Sequence, residues 1–171
     1  MIRQILTFPD PELKIKAVPV TVINDKTREL VRDMADTMYA APGVGLAAPQ
    51  IGVHQRVVVI DVSAKDEGPE LIVAINPVII HADGESYEEE GCLSVPKYAA
   101  NVRRHARVVV KALNLEGEEV TCKADGLLAI AFQHEIDHLD GILFIDHLSP
   151  LKKEMFRKKY RRMADELQER A

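Results

Sequence analysis

The 171-residue sequence lacks several things, and each shortage excludes a class of protein. Its longest apolar runs, such as Leu127 to Phe132 and Leu71 to Ile75, fall far short of the ~20 residues that a membrane-spanning helix needs. The first residues do not read as a signal peptide. Pro9, Asp10, Pro11 and Glu12 interrupt them before an apolar stretch can develop. They also lack the Arg- and Ser-rich, acid-poor character of a transit peptide. These absences predict a cytoplasmic protein with no membrane partner. Cysteine is scarce, with only Cys92 and Cys122. In a reducing compartment a structural disulfide would not persist, so each cysteine is either packing or chemistry. Positive charge is in deficit, 22 basic residues against 27 acidic, which argues against a dedicated nucleic-acid binder. Repeats, low-complexity tracts and linkers are missing too.

What is present is an ordinary globular balance, 47% apolar and 29% charged. A chain of this length can bury a core without staples, so a single domain over residues 1–171 is expected. Asn24 to Tyr39 reads as a helix, with Asn24 or Asp25 as its cap and Leu30, Val31, Met34 and Met38 at helical spacing. Pro42 and Gly43 stop it. Arg56 to Val62 and Leu71 to Ile80 read as strands, the second broken at Asn76-Pro77. Val102 to Leu115 reads as a third, with a turn at Gly117 and a returning partner over Glu118 to Lys123. A helix follows from about Asp125, its expected N-cap, to Leu139, with Gly141 as its stop, and it is apolar enough over two turns to be buried. A last helix follows Ser149-Pro150, over about 150–169, with Leu151, Met155, Phe156, Tyr160, Met163 and Leu167 as its expected apolar side. From Leu151 to Ala171 there are eight basic and four acidic residues, net +4, leaving −9 on the rest. That segment is either a solvated helix face or a docking element for something anionic.

The strongest local signal is His134-Glu135-Ile136-Asp137-His138. Residues four apart share one helix face, so the two imidazoles can hold one metal ion, and Glu135 beside them can reach a water on it. The plain alternative is two histidines on an ordinary helix, but burying Glu135 without a function would be costly. A catalytic centre of this kind takes three protein ligands and leaves one position open. A third histidine six residues beyond the pair would suit a known protease arrangement, but Phe144 stands there. Glu154 is a weak candidate, lying in a basic segment. Cys92, in Glu90-Gly91-Cys92-Leu93-Ser94, is the better one, since a thiolate suits a borderline-soft ion. Cys122, in a hairpin strand, reads only as a small hydrophobe.

A third segment is Gly43-Val44-Gly45-Leu46-Ala47-Ala48-Pro49-Gln50, which alone would mean only a turn before a strand. In their order, Gly-x-Gly-x-Ala-Ala-x-Gln, Glu-Gly-Cys-Leu-Ser and Gln-His-Glu-x-x-His resemble the three signature motifs of the peptide deformylase family, over nearly the whole chain. The resemblance implies an α+β fold, with antiparallel β-sheets wrapped around a central metal-binding helix and a C-terminal helix. It implies removal of the formyl group from the N-terminal formyl-methionine of nascent polypeptides, with release of formate. It implies one divalent metal ion, natively Fe²⁺, with Zn²⁺, Ni²⁺ or Co²⁺ as substitutes, held by Cys92, His134 and His138. Glu135 would then move the proton, and the Gln50 amide and Leu93 N–H would receive the oxyanion. Val44, Gly45, Leu127, Ile130 and Ala131 would bind the substrate, with Glu90 supporting the site. Many relatives place an Arg shortly after the Cys motif; here Pro96-Lys97-Tyr98-Ala99-Ala100 stands there, with Arg103 and Arg104 further on. The basic terminal helix would give a docking element for ribosomal RNA beside the emerging chain. The rival readings are a metallo-endopeptidase, a non-catalytic metal- or peptide-binding protein, and a Cys–His thiol hydrolase.

Overall fold

The computed structural model describes residues 1–170. Its ten main elements are α1 (Asp25–Ala40), β1 (Gly45–Ala47), β2 (Val57–Ile60), β3 (Ile72–Asp83), β4 (Ser86–Cys92), β5 (Val95–Arg104), β6 (Arg107–Leu113), β7 (Glu119–Asp125), α2 (Gly126–Leu139) and α3 (Pro150–Glu169). Five strands form one sheet in the order β1-β2-β3-β6-β7, and β4 and β5 form a separate hairpin. Every strand pairing is antiparallel.

Helix α1 starts where the sequence places it. The Asn24 side chain accepts from the Lys26 and Thr27 N–H groups, and the Thr27 side chain answers the Asn24 N–H. Strand β2 is buried on both faces because it lies between two helices. Val57 and Val59 pack with Leu30, Val31, Met34 and Met38 of α1. Val58 and Ile60 pack with Ala129, Phe132, Ile136 and Leu139 of α2. A third core joins Val95 and Val102 of the hairpin to Phe144, Ile145 and Phe156. Thus α2 gives one face to the large sheet and turns its opposite face, with the histidines, toward the hairpin.

Four expectations need correction. The break at Asn76-Pro77 is a bulge inside one continuous β3: Asn76 takes φ 52, and its side chain exchanges two hydrogen bonds with the Val20 backbone. Pro77, which has no N–H to give the ladder, is accommodated there. The single strand over Val102 to Leu115 is two, β5 and β6, and the β4–β5 hairpin was not foreseen as such. Asp125 does sit at the N-cap of α2, but its side chain makes no capping bond. Finally, the expected apolar side of α3 is mostly bare: of its residues only Phe156 is buried, while Leu151, Met155 and Leu167 are exposed. Beyond Tyr160, whose hydroxyl donates to the Phe8 carbonyl, the helix has run past the body that could cover it.

Candidate active site

The His134–His138 pair lies one turn apart on α2, as the spacing requires. Cys92 reaches it from the end of β4, where a register shift after Gly91 turns the chain. Ligand atoms of Cys92, His134 and His138 lie within 4.8 Å of one another. One thiolate and two imidazoles fit a borderline-soft divalent ion with one position left open. Cys92 Sγ is 3.3 Å from His138 Nε2 and accepts from the Ser94 N–H at 3.4 Å. Glu154 is exposed beside Lys158 and takes no part. Phe144 is buried and stacks on His134, its ring 6.1 Å away.

Glu90, in β4, accepts from His134 Nδ1 at 2.9 Å and so leaves Nε2 for a metal. Arg104, in β5, holds the same carboxylate with two bonds of 2.9 and 3.0 Å and also reaches Asp137 at 2.6 Å. Burial opposes the charge on Glu90, but the hydrogen bonds from His134 and Arg104 outweigh it and keep the carboxylate ionised. Burial also opposes a charged His134, yet Cys92 and Glu90 raise its pKa well above the usual value. A metal held at His134 Nε2 would take the place of a proton there. Burial pushes His138 the other way, toward neutral imidazole.

Glu135 is 3% exposed, and burial above all raises its pKa to about 7. Its carboxylate rests against the backbone of Gly45: a Cβ there would lie 2.9 Å from Oε2, so no other residue fits without displacement. Gln50 is almost wholly buried. Its Oε1 accepts from the Ala47 N–H at 2.9 Å, and its Nε2 donates to Ser94 Oγ at 3.0 Å. The second Nε2 hydrogen has only Cys92 Sγ at 3.7 Å, a long contact, so it points into the site with capacity to spare.

Gln50, Glu90, Cys92, His134 and Glu135 line a cleft of about 1050 Å³. Leu127, Ile130 and Ala131 of α2 form one wall; Val44, Gly45 and Leu93 lie at the mouth. The cleft has an edge as well as walls. β1 is the terminal strand of its sheet, and the Asp61 N–H donates to the Val44 carbonyl at 2.8 Å. Antiparallel ladders alternate, so with Val44 facing β2, Gly45 must turn its N–H and C=O outward to the open edge.

The family model described as polypeptide deformylase matches residues 2–154. The chain belongs to this family. It is 51% identical over 160 residues to a peptide deformylase of Thermodesulfovibrio yellowstonii, an alignment covering 94% of this chain and 97% of that one. A crystal structure of a peptide deformylase from Legionella pneumophila superposes with TM-score 0.91 at 48% identity, covering 100% and 99% of the two chains. A peptide deformylase from Ehrlichia chaffeensis, solved in complex with actinonin, gives 0.88 at 38% identity over 95% and 97%. The expected mixed helix-and-antiparallel-sheet fold with a C-terminal helix is thus the deformylase fold. Membership in the family and the Cys92–His134–His138 cluster together support a divalent metal.

Three residues of the site were not singled out from the deformylase motifs. Arg104 lies outside all three, and nothing local marks it as buried. Ser94 closes the Cys motif, but its hydroxyl's bond to Gln50 spans 44 residues. Gln133 looks like a helix-surface amide, yet it exchanges hydrogen bonds with both backbone groups of His105 and so ties α2 to the β5–β6 turn.

Proposed function

We propose that this chain removes the formyl group from the N-terminal formyl-methionine of nascent polypeptides and releases formate, acting as one catalytic domain over its whole length. The observation that carries the reading is the convergence of a Cys-His-His donor set, a buried Glu135 and an open strand edge on one cleft, in a member of the deformylase family. Cys92, His134 and His138 would hold the ion, for which we propose Fe²⁺, with Zn²⁺, Ni²⁺ or Co²⁺ able to replace it. Bound there, it supplies a Lewis acid beside the formyl group and makes water acidic enough to attack at neutral pH.

The remaining work falls to side chains and backbone. Glu135 takes the proton of the attacking water and hands it to the leaving amine. A carboxyl raised to about 7 suits an exchange in both directions near neutrality. The Nε2 hydrogen of Gln50 that has only the long Cys92 contact and the Leu93 N–H donate to the oxygen that gains charge. Leu127, Ile130 and Ala131 receive the methionine side chain, and the outward N–H and C=O of Gly45 pair with the extended peptide as an added strand. Glu90 holds His134 in one tautomer.

The test is formate release from a formyl-Met peptide by anaerobically prepared protein, with and without a chelator, beside the unformylated peptide. Release abolished by the chelator, with the unformylated peptide intact, is the expected result. No release after Fe²⁺ or Ni²⁺ is restored would overturn the reading.

We also propose that the protein works in the cytoplasm against ribosomal RNA. No described helix is long and apolar enough to cross a membrane. The exposed basic residues of α3, with Leu151, Met155 and Leu167 bare beside them, give phosphate-binding charge on a projecting element. Replacing Arg157, Lys158, Lys159, Arg161 and Arg162 should reduce co-sedimentation with ribosomes; unchanged binding would sink the idea.

A further inference from the structure

The rim of the cleft has an anchor outside every motif noted above. Asp61, just beyond the end of β2, is 8% exposed, and its carboxylate accepts four hydrogen bonds. Oδ1 accepts from the Ser63 N–H at 2.9 Å and the Ser63 hydroxyl at 2.6 Å. Oδ2 accepts from the Tyr39 hydroxyl at 2.6 Å and the Glu70 N–H at 3.0 Å. The Asp61 N–H is the donor that holds the Val44 carbonyl. One residue therefore joins the last turn of α1, the loop after β2 and the rim that carries Val44 and Gly45. A second tie, from the Gly43 N–H to the Met38 carbonyl at 2.9 Å, holds the same rim to α1.

We propose that Asp61 is a positioning residue for peptide binding: by fixing Val44, it keeps the outward N–H and C=O of Gly45 where a substrate backbone can pair with them. The proposal rests on the strand-pairing mode given above. Asp61 does not line the cleft, so it acts only through the rim. Its bonds from Ser63 and Tyr39 outweigh burial and hold its pKa down to about 2. Burial, and then the bond to Asp61, push Tyr39 up to about 12. Neither end of the clamp changes charge over any working pH, so it is a fixed support.

A support for the strand edge should matter in proportion to how much strand the substrate brings. The experiment compares formyl-Met amide with formyl-Met-Ala-Ser on the metal-loaded, full-length chain and on Asp61→Ala, Asp61→Asn and Tyr39→Phe. For Asp61→Ala we expect KM for the tripeptide to rise about tenfold, with kcat and the one-residue substrate within about twofold of wild type. Asp61→Asn should fall between, because its amide keeps the oxygen facing Ser63 but turns an NH₂ toward the Glu70 N–H. Tyr39→Phe, which deletes one hydroxyl from a half-exposed ring, should give a smaller shift in the same direction. It carries the test if Asp61→Ala does not fold. Equal losses on both substrates, a loss confined to kcat, or unchanged KM would each overturn the proposal. Binding of the unformylated Met-Ala-Ser, measured by calorimetry, probes the edge without the reaction. A weakened Kd in the variants would support Asp61 even if the wild type released no formate, and an unchanged Kd would refute it.

Discussion

Single side chains set the chemistry, and each can be removed alone. Glu135→Gln keeps the shape and the metal ligands but cannot carry a proton. Its kcat should fall by at least about 10²–10⁴-fold with metal content unchanged by elemental analysis. Gln50→Leu deletes the proposed oxyanion donor and should cost about 10²–10³ in kcat, read in the same formate assay. Asp61 gives a stability prediction. Its folded pKa, about 2, lies below the ordinary 3.8, so its contribution is present above about pH 4 and is lost as pH falls through 2. Acid unfolding of Asp61→Asn should be flatter than wild type across that interval. The His134–His138 pair and Glu135 were legible in the sequence because their spacing reports one turn of one helix; Cys92, on β4, was legible only through its motif. Arg104 and Asp61 were not: Arg104 works through Glu90 and Asp137, the reach of Asp61 to Tyr39 and Val44 comes only from the fold, and neither residue's own surroundings say it is buried.

At the scale of elements, the site is a joint between α2 and the β4–β5 hairpin, and Arg104 is what fastens it. Removing it leaves Glu90 buried without its cation. Arg104→Ala should therefore cost about 3–5 kcal/mol in denaturant unfolding and weaken metal retention. The far end of α2 is equally constrained. Gly141 takes φ 74 and faces the Lys14 carbonyl so closely that a Cβ would collide with it. Gly141→Ala should cost about 1–3 kcal/mol or more in stability, read as a lowered Tm. Helix α1 and the position of α2 could be read from caps and periodicity. The hairpin could not: Ser86 to Cys92 is Glu-rich and mostly exposed, and its partner strand carries a three-residue bulge at Pro96–Tyr98. Burial in β5 does alternate from Tyr98 to Arg104, but the bulge and an Arg on the inner face hide that alternation in the sequence.

Across the whole molecule, the acidic body and the basic terminal helix are separable. Helix α3 buries only Phe156, with Tyr160 half-buried beside it, so truncation after Met163 should leave Tm and kcat/KM within the small effects of surface changes, about 0.5 kcal/mol. The apolar spacing on α3 does not mark a core, because periodicity alone does not say whether a face has anything to pack against. The open edge of β1 has a further consequence, one of timing. An unpaired strand edge normally invites other sheets, yet this one lies inside a cleft lined by α2 and the β4–β5 hairpin. An N-terminus already folded into a helix or a sheet of its own has its backbone groups taken and cannot pair with that edge. The enzyme therefore competes with the folding of its own substrates, and each new protein is open to it only while its first residues are still unstructured.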